Sequence, residues 1–242
     1  MPLLRSIRLF NAIENASYTS ATLETLLSDQ GRKNDMDAIA NDLALMRRLA
    51  AVPQAASVVL GSARARASIF ASSVAMETLL SSRQGRAAVF DTPAVMSALA
   101  ASATGMQTVG DSAKCKMALS ESNAALAAVL ASNTALDTLR AAPLYAVEVI
   151  NNPATGTSET AFTLPGERYI VLGASTAQAL NMSVTLKTVT ASSGSNTISW
   201  NVADGAGTTA RVKSGAIGIK PPFLRTVGQN YPVYLGLLRC DI

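Results

Sequence analysis

The sequence predicts an α+β multidomain protein: a solenoid-like array of short α-helices, followed by a small antiparallel β-sandwich or barrel. A ten-residue repeat fills most of the first 150 residues. After Pro153 the repeat gives way to short alternating segments separated by Gly- and Ser-rich turns. We therefore predict a docking or capping segment at 1–30, a helical-repeat rod at 31–152 and a β domain at 153–242.

The repeat is clearest when the chain is written in blocks of ten from Ala51, whose positions we call columns one to ten. The second column is mostly Ser or Thr, and proline occupies the third column in several blocks. Ser and Thr accept hydrogen bonds from free N–H groups at a helix start, and proline suits the first helical position. The predicted helix N-caps are Ser62, Ser72, Ser82, Thr92, Ser102, Ser112, Ser122 and Ser132.

The ninth column is aliphatic in every block, and the sixth column is usually a long, flexible side chain. Residues three apart lie on one face of a helix, so these two columns predict a buried face. The predicted repeat core is Val59, Ile69, Leu79, Val89, Leu99, Val109, Leu119, Val129, Leu139 and Val149.

Two other structures for the repeat are disfavoured. On one long helix, ten residues fall about 80° short of three turns, so the apolar stripe would wind around the axis. Each internal proline would also cost about 3 kcal/mol. A β-solenoid would need a spacing of two rather than three. Short helices that end at each Ser satisfy the pattern, and they need stacking because they are unstable alone.

The beginning of the chain is apolar, and two interpretations of it stay open. Its residues either dock on a neighbouring protein or cap the first helices of the array. The stretch lacks a long apolar core and a small-residue cleavage site, so no signal peptide is predicted, and no run reaches the length of a membrane span. The candidate docking residues are Leu3, Leu4, Ile7, Leu9 and Phe10.

The composition argues against several classes of function. The chain has no histidine and a net charge of only +4, without a basic cluster interleaved with aromatic residues, so neither acid–base catalysis nor nucleic-acid binding is indicated. Cys115 and Cys240 show no metal-binding or redox spacing, and their pairing stays open. Nucleotide-binding, zinc-protease and serine-hydrolase motifs are absent. We expect no catalytic residue, metal or cofactor.

The predicted β region holds six of the aromatic residues, which form either its core or a sugar-stacking face. The core is the expected role; a glycan-binding module is the alternative and a polysaccharide depolymerase the third. Acidic residues are sparse there, so the paired carboxylates of a glycosidase are not indicated. The six aromatic residues are Phe162, Tyr169, Trp200, Phe223, Tyr231 and Tyr234.

Several repeat segments resemble a known class of sequence. The phrases "SSVAMETLLSS", "TPAVMSALAASATGMQTVGDS" and "SNTALDTLRAAP" are similar to the Ser-x-Thr-Ala-Met repeats of structural proteins in tailed bacteriophages, of the tail-fibre or appendage type. The opening "LFNAIENASYTSATLETLLSDQGR" resembles the leader of such repeats, and the likeness covers residues 8–150.

This resemblance implies a non-enzymatic virion component, made in the cytoplasm of a host bacterium and assembled as an oligomer, commonly a homotrimer. Its expected partners are copies of itself and other virion proteins, with a host surface glycan as the possible ligand of the alternative function. Neither a membrane nor a nucleic acid is expected as a partner. The resemblance transfers no functional residue.

Overall fold

The computed structural model describes residues 2–150, 160–162, 168–176, 182–188, 198–202, 217–219, 223–227 and 233–242. The chain folds as two compact units, Met1–Ala118 and Leu119–Ile242. In the described ranges the first unit is helical, whereas the second contains the last two helices and the strands. A helical array followed by antiparallel strands is therefore the observed order, as the sequence predicts.

The helices of the array are short, and most contain eight or nine residues. Their bounds are α1 (Pro2–Glu14), α2 (Ser20–Leu26), α3 (Gln30–Ala40), α4 (Leu43–Ala51), α5 (Pro53–Gly61), α6 (Ala63–Phe70), α7 (Ser73–Ser81), α8 (Arg83–Phe90), α9 (Pro93–Ala100), α10 (Ala103–Asp111), α11 (Ala113–Ser120), α12 (Asn123–Leu130) and α13 (Asn133–Arg140).

The second-column residue interrupts the helix in each block. Ser82, for example, has an extended backbone with φ −101° and ψ 147°, and its side chain accepts the N–H of Gly85 at 2.9 Å. Extended dihedrals and this side-chain bond are the signature of an N-cap. The chain therefore restarts a helix every ten residues instead of continuing one.

The core of the repeats occupies four columns rather than two. Columns six and nine are buried as predicted at most positions, and columns five and ten are buried beside them. Positions five, six, nine and ten form one helical face, because positions nine and ten lie three to five residues after positions five and six. The fifth column holds small residues in most blocks, with Val95 as an exception, and small residues let neighbouring helices approach closely. Its buried small members include Ala55, Ala65, Ala75, Gly85, Ala125 and Ala135.

Helices of the first unit pack against partners three or four places further along the chain. Contacts three helices apart join α2 to α5, α3 to α6, α4 to α7 and α5 to α8. Contacts four helices apart join α1 to α5, α2 to α6, α4 to α8 and α6 to α10. The narrow apolar face of each helix is thus covered by sequence neighbours and by helices three or four places away.

Gly85 marks a close approach between α7 and α8, and we predict that Gly85→Ala destabilises the protein by about 1–3 kcal/mol. A Cβ at this position would overlap the carbonyl oxygen of Leu79 and lie 2.8 Å from the Leu79 carbonyl carbon. Backbone cannot move aside as a side chain can, so α7 and α8 must separate. Urea unfolding monitored by circular dichroism measures the change.

Gly31→Ala is the matched control, because Gly31 is also helical but exposed. Its nearest neighbour would be the Oδ1 atom of the Asp29 side chain at 3.1 Å, which caps α3 and needs to give by only a few tenths of an ångström. The helix propensity of alanine should make this variant neutral or more stable by up to about 1 kcal/mol. Equal, small effects at both positions would contradict the close approach at Gly85.

The strands form two antiparallel four-stranded sheets, in the orders β1-β8-β3-β6 and β2-β7-β4-β5. The predicted barrel alternative is wrong for the described strands, because they pair as two separate sheets and close into no single barrel. Their bounds are β1 (Tyr145–Ile150), β2 (Thr160–Phe162), β3 (Tyr169–Thr176), β4 (Met182–Thr188), β5 (Ile198–Val202), β6 (Ile217–Ile219), β7 (Phe223–Val227) and β8 (Val233–Arg239).

Val149 was predicted as the last member of the helical repeat core, and this prediction is wrong. Val149 lies in β1, paired with Tyr234 of β8. The helices end at Arg140, and the segment from Tyr145 contains three β-branched residues that favour a strand. Val149 therefore matches the ninth column because strands also favour aliphatic residues, and not because the helical repeat continues.

No single helix in the described ranges has both the length and the hydropathy to cross a membrane. The pair α4 and α5 passes that test only when joined, and the two helices are bent by 108°.

Candidate functional site

The second-column serines act as helix caps along the array. Six of the predicted N-caps accept the backbone N–H three residues later, at distances between 2.9 and 3.2 Å. Ser112 accepts the N–H of Cys115 at 3.3 Å. The six are Ser62, Ser72, Ser82, Ser102, Ser122 and Ser132.

Thr92 is the exception among the predicted caps. It stands at the N-cap position of α9, but its side chain makes no capping hydrogen bond. The N–H of Val95 instead bonds the Thr92 backbone carbonyl at 3.0 Å, and Pro93 supplies no N–H. A side-chain cap at this position is therefore a wrong prediction, although the helix begins where expected.

Three of the capping serines also donate a hydrogen bond to a residue of an earlier helix, a role that the sequence did not indicate. The Ser72 hydroxyl donates to the carbonyl of Ala40 at 2.7 Å. The Ser62 and Ser112 hydroxyls donate to Glu24 and Glu77 at 2.8 Å each. Each of these hydroxyls accepts a capping bond and donates across the array, so one small side chain joins residues 32–38 apart.

Two of these contacts share one geometry, which we call the carboxylate latch. In each latch a glutamate is the fifth residue of its helix. It contacts the N-cap serine of the helix four places later. It also contacts a cationic side chain two residues after that serine. Glu24 of α2 accepts from Ser62 and from Arg64 Nη1, the latter at 2.6 Å. Glu77 of α7 accepts from Ser112 and from Lys114 Nζ at 3.2 Å.

The latch at Glu24 stabilises the ionised carboxylate. The backbone N–H of Arg64, which donates at 2.9 Å, and the Ser62 hydroxyl lower the pKa of Glu24 below its ordinary value of 4.5. A lowered pKa in the folded state makes stability depend on ionisation. The contribution is complete above the unfolded pKa and is lost as the pH falls through the folded one.

Removing this carboxylate should make the protein less sensitive to acid. We predict that Glu24→Gln lowers the free energy of unfolding by about 0.5–1 kcal/mol at neutral pH, a size limited by solvent screening. The difference from wild type should shrink as the pH falls through the lowered pKa of Glu24, because the native carboxylate then becomes protonated. Urea unfolding across this pH range measures it.

Asp111→Asn is the control for the Glu24 prediction, because it removes an exposed carboxylate from α10. The Asp111→Asn variant should lose as much free energy of unfolding in acid as the wild-type protein does. A Glu24→Gln variant that loses as much stability in acid as wild type would contradict the latch.

The described surface includes a groove of about 540 Å³ between α4, α7, the start of α8 and the start of α11. Its apolar part includes Leu43, which is 47% exposed, and Val74. Its charged part consists of Arg47, Glu77 and Lys114. The remaining lining residues are Ala50, Ala51, Thr78, Ser81, Ser82 and Gln84. The groove combines apolar and charged side chains at a size typical of binding sites.

Arg47 lies at the position where a carboxylate latch would hold its glutamate. It is the fifth residue of α4, and the serine capping the fourth helix after it is Ser82. Gln84 stands where the two latches have Arg64 and Lys114. No carboxylate among the described residues forms an ion pair with Arg47.

The proposed docking residues at the start of the chain do not form one exposed surface. Leu9 and Phe10 are 2% and 1% exposed, so docking through them is a wrong prediction. With Ile13 they lie on one face of α1, which packs against α3 and α5. Ile7 is half-buried and Leu4 is 58% exposed, while the Leu3 side chain lies outside the described residues.

The candidate aromatic face of the β region is only partly described. Tyr169 is 6% exposed and lies in β3, where its role is packing. Tyr231 lies outside the described residues, and nothing is described of the side chains of the other four. Tyr169, the candidate whose side chain is described, therefore offers no exposed ring for a glycan.

Cys115 and Cys240 are both buried, and they are not joined in a disulfide. Burial raises the pKa of Cys115 to about 11, which keeps its thiol protonated at neutral pH and makes it a poor nucleophile. In the described ranges no three His, Cys, Asp or Glu side chains are grouped to hold a metal ion. The chemistry of the described residues is thus that of capping, ion pairing and apolar packing.

Comparison with known proteins assigns the chain to no group. No protein-family model matches its sequence, and no curated protein matches it.

Proposed function

We propose that the chain is a non-enzymatic structural component of a bacteriophage virion, a fibre- or appendage-type protein whose helical array links the particle to the β region. The observation that carries this proposal is the double role of the serines at 62, 72 and 112. Each caps its own helix and also bonds to residues about one turn earlier. Repeated cross-connections of this kind suit a stiff spacer.

The array is best explained as a solenoid with three to four helices per turn. Its support is the recurrence of contacts between helices three and four places apart, and of side-chain bonds between residues 31–40 apart. In a solenoid each repeat depends mainly on near neighbours, so length is set by repeat number. This property fits a spacer and requires no reaction centre.

The β region is best explained as a sandwich that ends the spacer. Its support is the two four-stranded antiparallel sheets and the contact between β3 of one sheet and β5 of the other. The proposal also includes assembly as a homotrimer, which rests on the resemblance to bacteriophage fibre proteins. Sedimentation at micromolar concentration tests it: a trimer is expected, and a stable monomer would contradict it.

Particle purification tests the virion role. Intact particles of the bacteriophage that encodes the chain are isolated on a density gradient, and their proteins are identified by mass spectrometry. The chain is expected in intact particles at a fixed ratio to the major structural proteins. Finding it only in the soluble fraction of infected cells would overturn the proposal.

A turnover assay tests the non-enzymatic part of the proposal. The purified full chain is incubated with surface polysaccharide of the host bacterium, and new reducing ends are measured. No increase over the heat-denatured chain is expected. Release of reducing ends by the folded chain would assign it the activity of a depolymerase instead.

A further inference from the structure

We propose that the groove between α4, α7, α8 and α11 binds a carboxylate-bearing segment of a partner protein through Arg47 and Lys114. The segment combines an Asp or Glu side chain with a neighbouring apolar residue. This inference goes beyond the structural role proposed above and does not depend on it.

The chain's own latches show which ligand such a position takes. At two equivalent positions the carboxylate of the fifth residue of a helix accepts hydrogen bonds from a serine hydroxyl and from a cation. At Glu24 a backbone N–H also donates to it. The Glu24 latch includes an arginine ion pair at 2.6 Å and an N–H bond at 2.9 Å. In both latches the bound group is a carboxylate, which a charge-assisted hydrogen bond from a cation holds.

At the equivalent position of α4 a cation stands in place of the internal carboxylate. Arg47 occupies the place of the glutamate, and Gln84 occupies the place of the cation. Two cationic side chains, Arg47 and Lys114, line the same groove, and Lys114 is 68% exposed. A carboxylate entering from outside would pair with Arg47 and accept a hydrogen bond from the Gln84 amide.

The charge balance of the groove selects a single carboxylate rather than a polyanion. Glu77 lines the groove beside Arg47 and Lys114, and its two oxygens already accept bonds from Ser112 and Lys114. Two cations and one carboxylate leave one net positive charge. A phosphate dianion or a nucleic-acid backbone would meet repulsion from Glu77.

The apolar side of the groove selects a neighbouring apolar residue in the segment. Leu43 is one of the few large apolar side chains exposed in the described ranges, and Val74 lies in the same lining. Covering such a side chain removes apolar area from water. The carboxylate of the segment matches the charged side of the groove, and its apolar residue matches the side formed by Leu43 and Val74.

Binding of a minimal probe to the full chain tests the proposal by NMR. The probe is N-acetyl-Asp-Leu-amide, compared with N-acetyl-Asn-Leu-amide and with acetate. The Asp probe is expected to shift the Arg47 guanidinium and Gln84 amide signals saturably, in the millimolar range. The Asn probe and acetate are expected to bind at least about tenfold more weakly.

Two charge-reversal variants complete the test. Arg47→Glu is expected to weaken binding of the Asp probe by about tenfold or more. Arg8→Glu makes the same change in net charge on an exposed residue of α1 and should leave binding unchanged. The circular dichroism spectra of both variants should match wild type, since both arginines are exposed.

Several outcomes would overturn the proposal. They are the absence of a saturable shift in wild type, equal binding of the Asp and Asn probes, and equal binding of acetate. Equal loss in the Arg47 and Arg8 variants would indicate a general charge effect and would also overturn it. Signals that move without any probe as protein concentration rises would assign the groove to a second copy of the chain.

Discussion

Leu99→Asp is expected to unfold the helical array, with a loss of more than about 4 kcal/mol in the free energy of unfolding. Leu99 is fully buried in α9, and its Cδ1 lies against Gly105 of α10. An aspartate there would lose its hydrating water on the buried face of the repeat. Because small proteins have only about 5–15 kcal/mol of stability, this single change removes most of it.

Thermal unfolding followed by circular dichroism measures the effect, with Ser97→Asp as the control. Ser97 lies in the same helix but is exposed, so the same carboxylate remains hydrated. The control should change stability by no more than about 0.5 kcal/mol. A Leu99→Asp variant as stable as the Ser97→Asp variant would contradict the assignment of the ninth column to the core.

Phe10→Ala is expected to destabilise the protein by about 3–5 kcal/mol, since it leaves a cavity under the first helices. The Phe10 ring is 1% exposed, and the Arg48 guanidinium lies 4.8 Å from its centroid. Arg48 also forms an ion pair with Glu14 at the end of α1. Loss of the ring therefore removes apolar packing and the surface against which Arg48 is held.

This second variant separates a capping helix from a docking segment. Leu4→Ala, at a residue 58% exposed, is the control and should change stability by no more than about 0.5 kcal/mol. Urea unfolding of both variants gives the comparison. A Phe10→Ala variant with wild-type stability that fails to join its particle would instead support docking through Phe10.

The ten-residue repeat allowed the array to be predicted because its signals are local. The Ser62 cap and the buried Val59 depend on residues within one block, and capping and helical periodicity act over such distances. The fifth column was missed because alanine is read as a neutral helix former. Its constant small size at Ala55, Ala65 and Ala75 was the available signal for close helix packing.

The candidate site could not be predicted from the blocks alone. Arg47, Gln84 and Lys114 come from three helices and meet because the array brings together helices four places apart. This meeting depends on the angles between successive helices, which no single block encodes. The docking prediction for the start of the chain was wrong for a different reason: apolar residues such as Leu9 and Phe10 suit a core and an interface equally well.

Backbone NMR assignment of residues 60–140 tests the central claim most directly, namely that capped short helices, and not one continuous element, form the repeat. Cα and Cβ shifts report helical or extended backbone residue by residue. We predict extended values at Ser72, Ser82, Ser102, Ser122 and Ser132, each between two helical runs. Uninterrupted helical values through these serines, or extended values throughout, would contradict the account.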